Sequence, residues 1–115
     1  MMIPEPLKRL MKLTEPELEE LKSLRAALTK IKKGDAKVLA IRDLLDGNLS
    51  NILSVAHLMK VRSENDSRDL DTYLWGMFHK NLVKDALDSL YLLSEEGSFP
   101  ADLIKIAIKT LEKYK

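Results

Sequence analysis

The sequence predicts an all-α fold in a single domain that covers residues 1–115. Apolar residues recur three and four positions apart along most of the chain, which is the period of an amphipathic helix. Val, Ile, Thr and aromatic residues never alternate with polar residues over the length of a strand. Capping residues and glycines divide the chain into helix-sized segments. We therefore expect a small irregular bundle of five to six helices around one long helix.

The N-terminal part of the chain predicts two helices. A short helix over 6–12 follows two prolines, which are tolerated at or before a first helical turn. Thr14 and Glu17 have the spacing of a capping box, in which each side chain binds the backbone amide of the other residue. This box predicts a helix over 15–33 that ends at Gly34, after a group of lysines that suits the negative end of the helix dipole.

Two short helices are predicted next. Asp35 is suited to cap a helix over 36–46, and Gly47 is expected to end it. A second short helix is expected over 50–62. The polar stretch 63–69 has too little apolar surface to pack and is predicted to be a linker between two helical halves.

The second half begins with the helix that we expect to be the centre of the bundle. It is predicted to span 69–94 and to end before Gly97. Pro100 suits the first turn of a last helix over 99–114. We expect the 15–33 and 99–114 helices to pack against the long helix and the two short helices to close one end.

The residues that enzymes use are scarce in this chain. Cysteine is absent, which excludes a disulfide scaffold and a thiolate zinc site. His57 and His79 are expected on different helices and cannot form a metal-binding pair one turn apart. The four glycines do not form a phosphate-binding loop. We therefore expect no enzyme activity, no metal, no cofactor and no small-molecule substrate.

The net charge of +1 hides a strong segregation of charge. Positions 22–42 hold seven basic residues against one acid, whereas positions 85–96 hold four acids and no base. The two segments could match each other within one chain or between chains. A basic face on the 15–33 helix is a candidate for phosphate binding, although a charged face is also what any soluble bundle needs. Its residues are Lys22, Arg25, Lys30, Lys32 and Lys33.

Surplus apolar surface is the feature that bears most directly on function. The predicted 69–94 helix carries two apolar faces, of which one is enough for packing in a bundle. Either this helix is covered on both sides by its own chain, or part of the surface is buried against another chain. The surplus residues are Leu70, Tyr73, Leu74 and Met77, with Leu58 and Val61 on the preceding helix.

The sequence therefore predicts a non-catalytic protein–protein interaction module, which would be a small cytoplasmic subunit or adaptor. The expected partner is a second copy of the chain or a larger protein complex. A nucleic-acid-binding accessory protein that uses the basic face is the alternative. No apolar run approaches the ~20 residues of a membrane span, so no membrane partner is expected.

Overall fold

A capping box begins the first helix, α1 (Glu15–Thr29), of the computed structural model. The structure describes residues 9–10, 12–31, 33–63, 81–97 and 101–115, with the backbone alone at 58–63. The Glu17 amide donates to Thr14 Oγ1 at 3.3 Å, and the Thr14 amide donates to Glu17 Oε1 at 3.0 Å. The predicted capping box is confirmed.

Helix α1 ends earlier than the sequence predicts. The Lys30 and Ile31 amides turn back to the carbonyls of Ala27 and Leu28, at 3.2 and 3.1 Å, which tightens the last turn and closes the helix. The Arg42 guanidinium donates to the Ile31 carbonyl and holds the chain that leaves the helix. The predicted extension of the helix to residue 33 is therefore wrong.

The longest helix among the described residues is α2 (Ala36–Ser63), which spans 28 residues. Asp35 caps it as predicted, since its Oδ1 accepts from the Lys37 amide at 3.0 Å. Two separate helices over 36–46 and 50–62 were predicted, and this division is wrong because α2 continues through Gly47.

Burial explains why the glycine does not interrupt α2. A glycine inside a helix costs about 1 kcal/mol relative to alanine. Leu45, Leu49 and Ile52 lie on both sides of Gly47 in the same helical stripe, and each is fully buried. Burial of one such side chain contributes about 2 kcal/mol, so core packing outweighs the local preference of glycine.

Of the helix predicted over 69–94, the described part of the chain contains α3 (Leu82–Glu96), which is shorter than α2, and residues 69–80 lie outside the described residues. Asn81 is its N-cap residue, and its backbone carbonyl accepts from the Asp85 amide at 2.9 Å, whereas its side chain makes no capping hydrogen bond. Gly97 ends α3 in the left-handed conformation with φ of 67°, as the sequence predicts. The predicted 63–69 linker lies outside the described residues beyond Ser63.

The last helix is α4 (Ala101–Glu112). The described part of the chain therefore holds four helices and not the five or six predicted, and it contains no strand. Of the predicted 6–12 helix, residues 9 and 10 are helical and the others are outside the described residues, apart from residue 12, which lies in a turn.

The four helices close into a ring around one core. Helix α1 packs against α2 and α4, and α3 packs against the same two helices. Each helix turns one apolar side towards the centre of the bundle. The fully buried core side chains include Leu21, Leu28, Leu45, Leu49, Ile52, Leu90, Leu93 and Leu111.

Candidate interaction surface

The side of α2 that faces away from the core carries a row of uncharged residues. We call this row the α2 outer face. Leu44, at its centre, is 61% exposed and is the most exposed large apolar side chain among the described residues. Its members are Ala40, Leu44, Gly47, Asn51 and Ser54, all exposed except the half-buried Asn51.

Helical geometry places this row opposite the core. Its members are spaced alternately by four and three residues, which keeps them on one side of a helix. The same spacing continues to positions 58 and 61, where the sequence has Leu58 and Val61. Those two residues were predicted to belong to a protein interface. They lie in α2, but their side chains are outside the described residues.

The space in front of Gly47 is open among the described residues. A Cβ atom built on Gly47 meets none of their atoms within 4 Å, which leaves room for another molecule to approach the backbone. Asp43 and His57 are exposed beside the α2 outer face. Asp43 pairs with its neighbour Arg42 at 2.8 Å, and 70% of the Asp43 side chain is exposed.

Sequence reasoning missed most of this row because Gly47 was expected to end a helix. Once the helix is taken to be continuous, the alternating spacing of four and three from Ala40 to Val61 is the signal that reveals it. The remaining predicted interface residues lie outside the described part of the chain. They are Leu70, Tyr73, Leu74 and Met77.

The structure separates the residues of the predicted basic face. Lys22 forms an ion pair with Glu19 at 3.3 Å, and Arg25 pairs with Asp46 on α2 at 2.9 Å. Lys30 and Lys33 are exposed but lie beyond the end of α1. Lys32 is outside the described residues. Nucleic-acid binding by these residues stays a prediction.

The basic and acidic segments of the sequence meet at one point in the described structure. Lys37, at the start of α2, pairs with Glu96, at the end of α3, with 3.7 Å between Nζ and Oε1. The other acids of the 85–96 segment are exposed, as expected for solvated charges. Among the described residues this ion pair joins the two segments within one chain, and a match between two chains stays a prediction.

A second surface lies where α3 approaches the C-terminal end of α4. A groove of about 300 Å³ has Val83, Leu87 and Tyr91 on its floor and charged residues of both signs on its rim. The Tyr91 hydroxyl donates to Glu112 Oε1 at 2.5 Å, a hydrogen bond that raises the pKa of Tyr91 and lowers the pKa of Glu112. Charged groups therefore surround the apolar part of this groove.

Glu17 fastens the start of α1 to the end of α4. It is only 8% exposed and accepts from the Tyr114 hydroxyl at 2.5 Å and from the Thr14 hydroxyl at 3.0 Å. Lys113 adds an ion pair at 3.3 Å. Burial raises the pKa of Glu17, but the hydrogen bonds from these three residues outweigh it, and the pKa falls to about 2.

The same contact shifts the pKa of the tyrosine in the opposite direction. Burial, the hydrogen bond to Glu17 and the charge of Glu17 together raise the pKa of Tyr114 to about 12. Each group therefore keeps its neutral-pH ionisation state, with the carboxylate charged and the phenol protonated. The cluster joins the start of α1 to the residues that follow α4.

The described residues bring no group of three His, Asp or Glu side chains into the arrangement of a metal site. His57 is exposed on α2, and His79 is outside the described part of the chain. None of the described helices combines the length and the apolar character that a bilayer crossing requires.

Comparisons of the chain with protein-family models, with curated proteins and with solved structures find no match in any of the three.

Proposed function

We propose that this protein is a non-catalytic interaction module, an intracellular subunit or adaptor that binds another protein through the α2 outer face. The observation that carries the proposal is an exposed helix row without charge, from Ala40 to Ser54, in a chain of which 32% is charged. A solvent-facing helix side normally carries charged or strongly polar residues, so this composition favours burial against a partner.

The exposed leucine gives the row its binding energy. Burying apolar surface contributes about 25 cal/mol per Å², and Leu44 is 61% exposed. The small residues beside it allow a second helix to come close, because interhelical distance depends on the side chains at the contact. A leucine among small residues on a regular helix therefore suits a helical partner better than a flat or extended one.

Other exposed apolar residues support this function less well. Leu92, on α3, is 44% exposed, but it lies one helical turn from Asp88 and Glu96. Burial of Leu92 against a partner would also desolvate those carboxylates. The α2 outer face contains no carboxylate of its own, and Asp43 lies at its flank.

A photocrosslinking side chain introduced at residue 44 tests the proposal. We expect the variant to form a defined protein adduct in its native cell, identified by mass spectrometry. The same side chain at residue 92 is the matched control, because both positions hold exposed leucines on long helices. The proposal is wrong if position 44 gives no protein adduct, or only the same diffuse adducts as position 92.

A further inference from the structure

We propose that the partner of the α2 outer face is a second copy of this chain, with the two α2 helices packed antiparallel. This inference rests on the proposed function and adds the identity and the orientation of the partner. It follows from the order of large and small residues along the row and from the charges at its flanks.

The row of residues is complementary to itself when it is reversed. In an antiparallel helix pair, a residue that follows a spacing of four lies opposite a residue that follows a spacing of three, and each such pair forms one layer. With Leu44 placed against Ser54 of the second copy, Asn51 falls against Gly47. Each layer combines one larger residue with one small residue.

A parallel arrangement packs the same residues poorly. In register, it places Leu44 against Leu44 and Gly47 against Gly47 of the second copy. A layer of two leucines would be followed by layers of two glycines, two asparagines and two serines, which leaves voids between the helices. Because helix interfaces are packed as densely as protein interiors, layers of even size favour the antiparallel arrangement.

The charges beside the row favour the same orientation. In the antiparallel register, Asp43 of one copy lies beside His57 of the other, and two-fold symmetry creates this contact twice. An imidazole can donate a hydrogen bond to a carboxylate, and protonation adds an ion pair. Both side chains are exposed in the single chain, and Asp43, although paired with its own Arg42, keeps 70% of its side chain accessible to a second copy.

The extent of the row indicates a weak dimer. From Ala40 to Val61 the helix is about 32 Å long, at 1.5 Å per residue. Since several of the residues are small, the apolar area is below that of a tightly bound homodimer. We therefore expect a monomer–dimer equilibrium that sedimentation detects at roughly 100 μM protein and that dilution reverses.

Single cysteines can determine the orientation, because the natural chain contains none. In the antiparallel register Ser50 lies next to its own counterpart at the two-fold axis, whereas Ser54 lies about 15 Å along the helix from its counterpart. A disulfide requires Cα atoms within about 7 Å. Under mild oxidation we expect Ser50→Cys to form a covalent dimer and the matched Ser54→Cys variant to form none.

Charge at the centre of the row should abolish association. Leu44→Glu is expected to shift the chain to monomer at all concentrations tested, with an unchanged circular dichroism spectrum because Leu44 is exposed. Leu92→Glu is the control and should dimerise like the natural chain.

Two results would overturn the inference. One is a natural chain that stays monomeric at roughly 1 mM, and the other is a Ser54→Cys variant that crosslinks in place of Ser50→Cys, which would show a parallel pair. If the chain is monomeric while residue 44 still crosslinks to a different protein, the identity of the partner is wrong and the proposed function remains. If residue 44 forms no protein adduct and the chain is monomeric, both are wrong.

Discussion

The Tyr114 hydroxyl donates a 2.5 Å hydrogen bond to Glu17 Oε1, joining residues that are 97 positions apart in the chain. Glu17 also completes the capping box that begins α1. One carboxylate therefore fixes the start of the first described helix and ties it to the residues that follow the last one. This contact closes the ring of helices that positions α2 and its outer face.

Removal of the Tyr114 hydroxyl should destabilise the fold. Tyr114→Phe leaves the ring in place but takes one donor from a carboxylate that is only 8% exposed. Hydrogen bonds to charged groups contribute about 1.5–3 kcal/mol, so we expect the free energy of unfolding in urea to fall by about 2 kcal/mol. Tyr91→Phe is the matched control, because its partner Glu112 is accessible to water. Equal losses for the two variants would contradict the assigned role of Glu17.

The low pKa of Glu17 should make stability depend on acid pH. The pKa is about 2 in the folded chain and about 4.5 when unfolded, so the unfolded state binds the proton more readily. The stabilisation is present above the unfolded pKa and is lost as pH falls through about 2. The loss is at most about 3 kcal/mol, since each pKa unit corresponds to about 1.4 kcal/mol.

A comparison of the natural chain with the Glu17→Gln variant isolates the contribution of Glu17 to stability from those of the other carboxylates. The difference in unfolding free energy between the natural chain and Glu17→Gln should shrink as pH falls from about 5 to about 2. A difference that stays constant over this range would show that Glu17 has an ordinary pKa.

The α1 start and the α3 end could be predicted from sequence because each depends on local chemistry. Thr14 and Glu17 satisfy backbone amides within one turn of each other, and Gly97 adopts a φ that other residues avoid. The tie between Glu17 and Tyr114 could not be predicted, because it depends on how α1 and α4 pack. No local pattern encodes a contact across 97 positions.

The prediction that Gly47 ends a helix is wrong, and it affects the candidate site more than any other difference between sequence and structure. A glycine after Asp46 resembles a helix end, and only the burial of Leu45, Leu49 and Ile52 against other helices makes the continuous helix preferable. Because α2 is predicted as two separate helices, the alternating spacing of four and three residues from Ala40 to Val61 is not recognised. The sequence identifies Leu58 and Val61 as surplus apolar residues. It does not identify the row from Ala40 to Ser54 that leads up to them.

The alternative function makes a separate prediction. If Lys30 and Lys33 bind phosphates, affinity for a labelled duplex or single strand should fall steeply as salt rises, because bound lysines release condensed counterions. A Lys30→Glu, Lys33→Glu double variant should bind at least tenfold more weakly. Lys105→Glu with Lys109→Glu is the control for a general loss of positive charge, since both lysines are exposed on α4. No retention of either nucleic acid at low salt would exclude this function.

Two glycine substitutions should change stability in opposite directions. A Cβ on Gly47 or on Gly97 meets no atom within 4 Å, so neither change creates a steric clash with neighbouring groups. Gly47 lies inside α2, where alanine is favoured by about 1 kcal/mol, and Gly47→Ala should therefore stabilise the fold by up to that amount. Gly97 has φ of 67°, a conformation that costs a residue with a Cβ about 1 kcal/mol, so Gly97→Ala should destabilise it. Thermal unfolding at low protein concentration, where association does not contribute, measures both. Destabilisation by Gly47→Ala would show that residue 47 ends a helix and would remove the continuous α2 outer face.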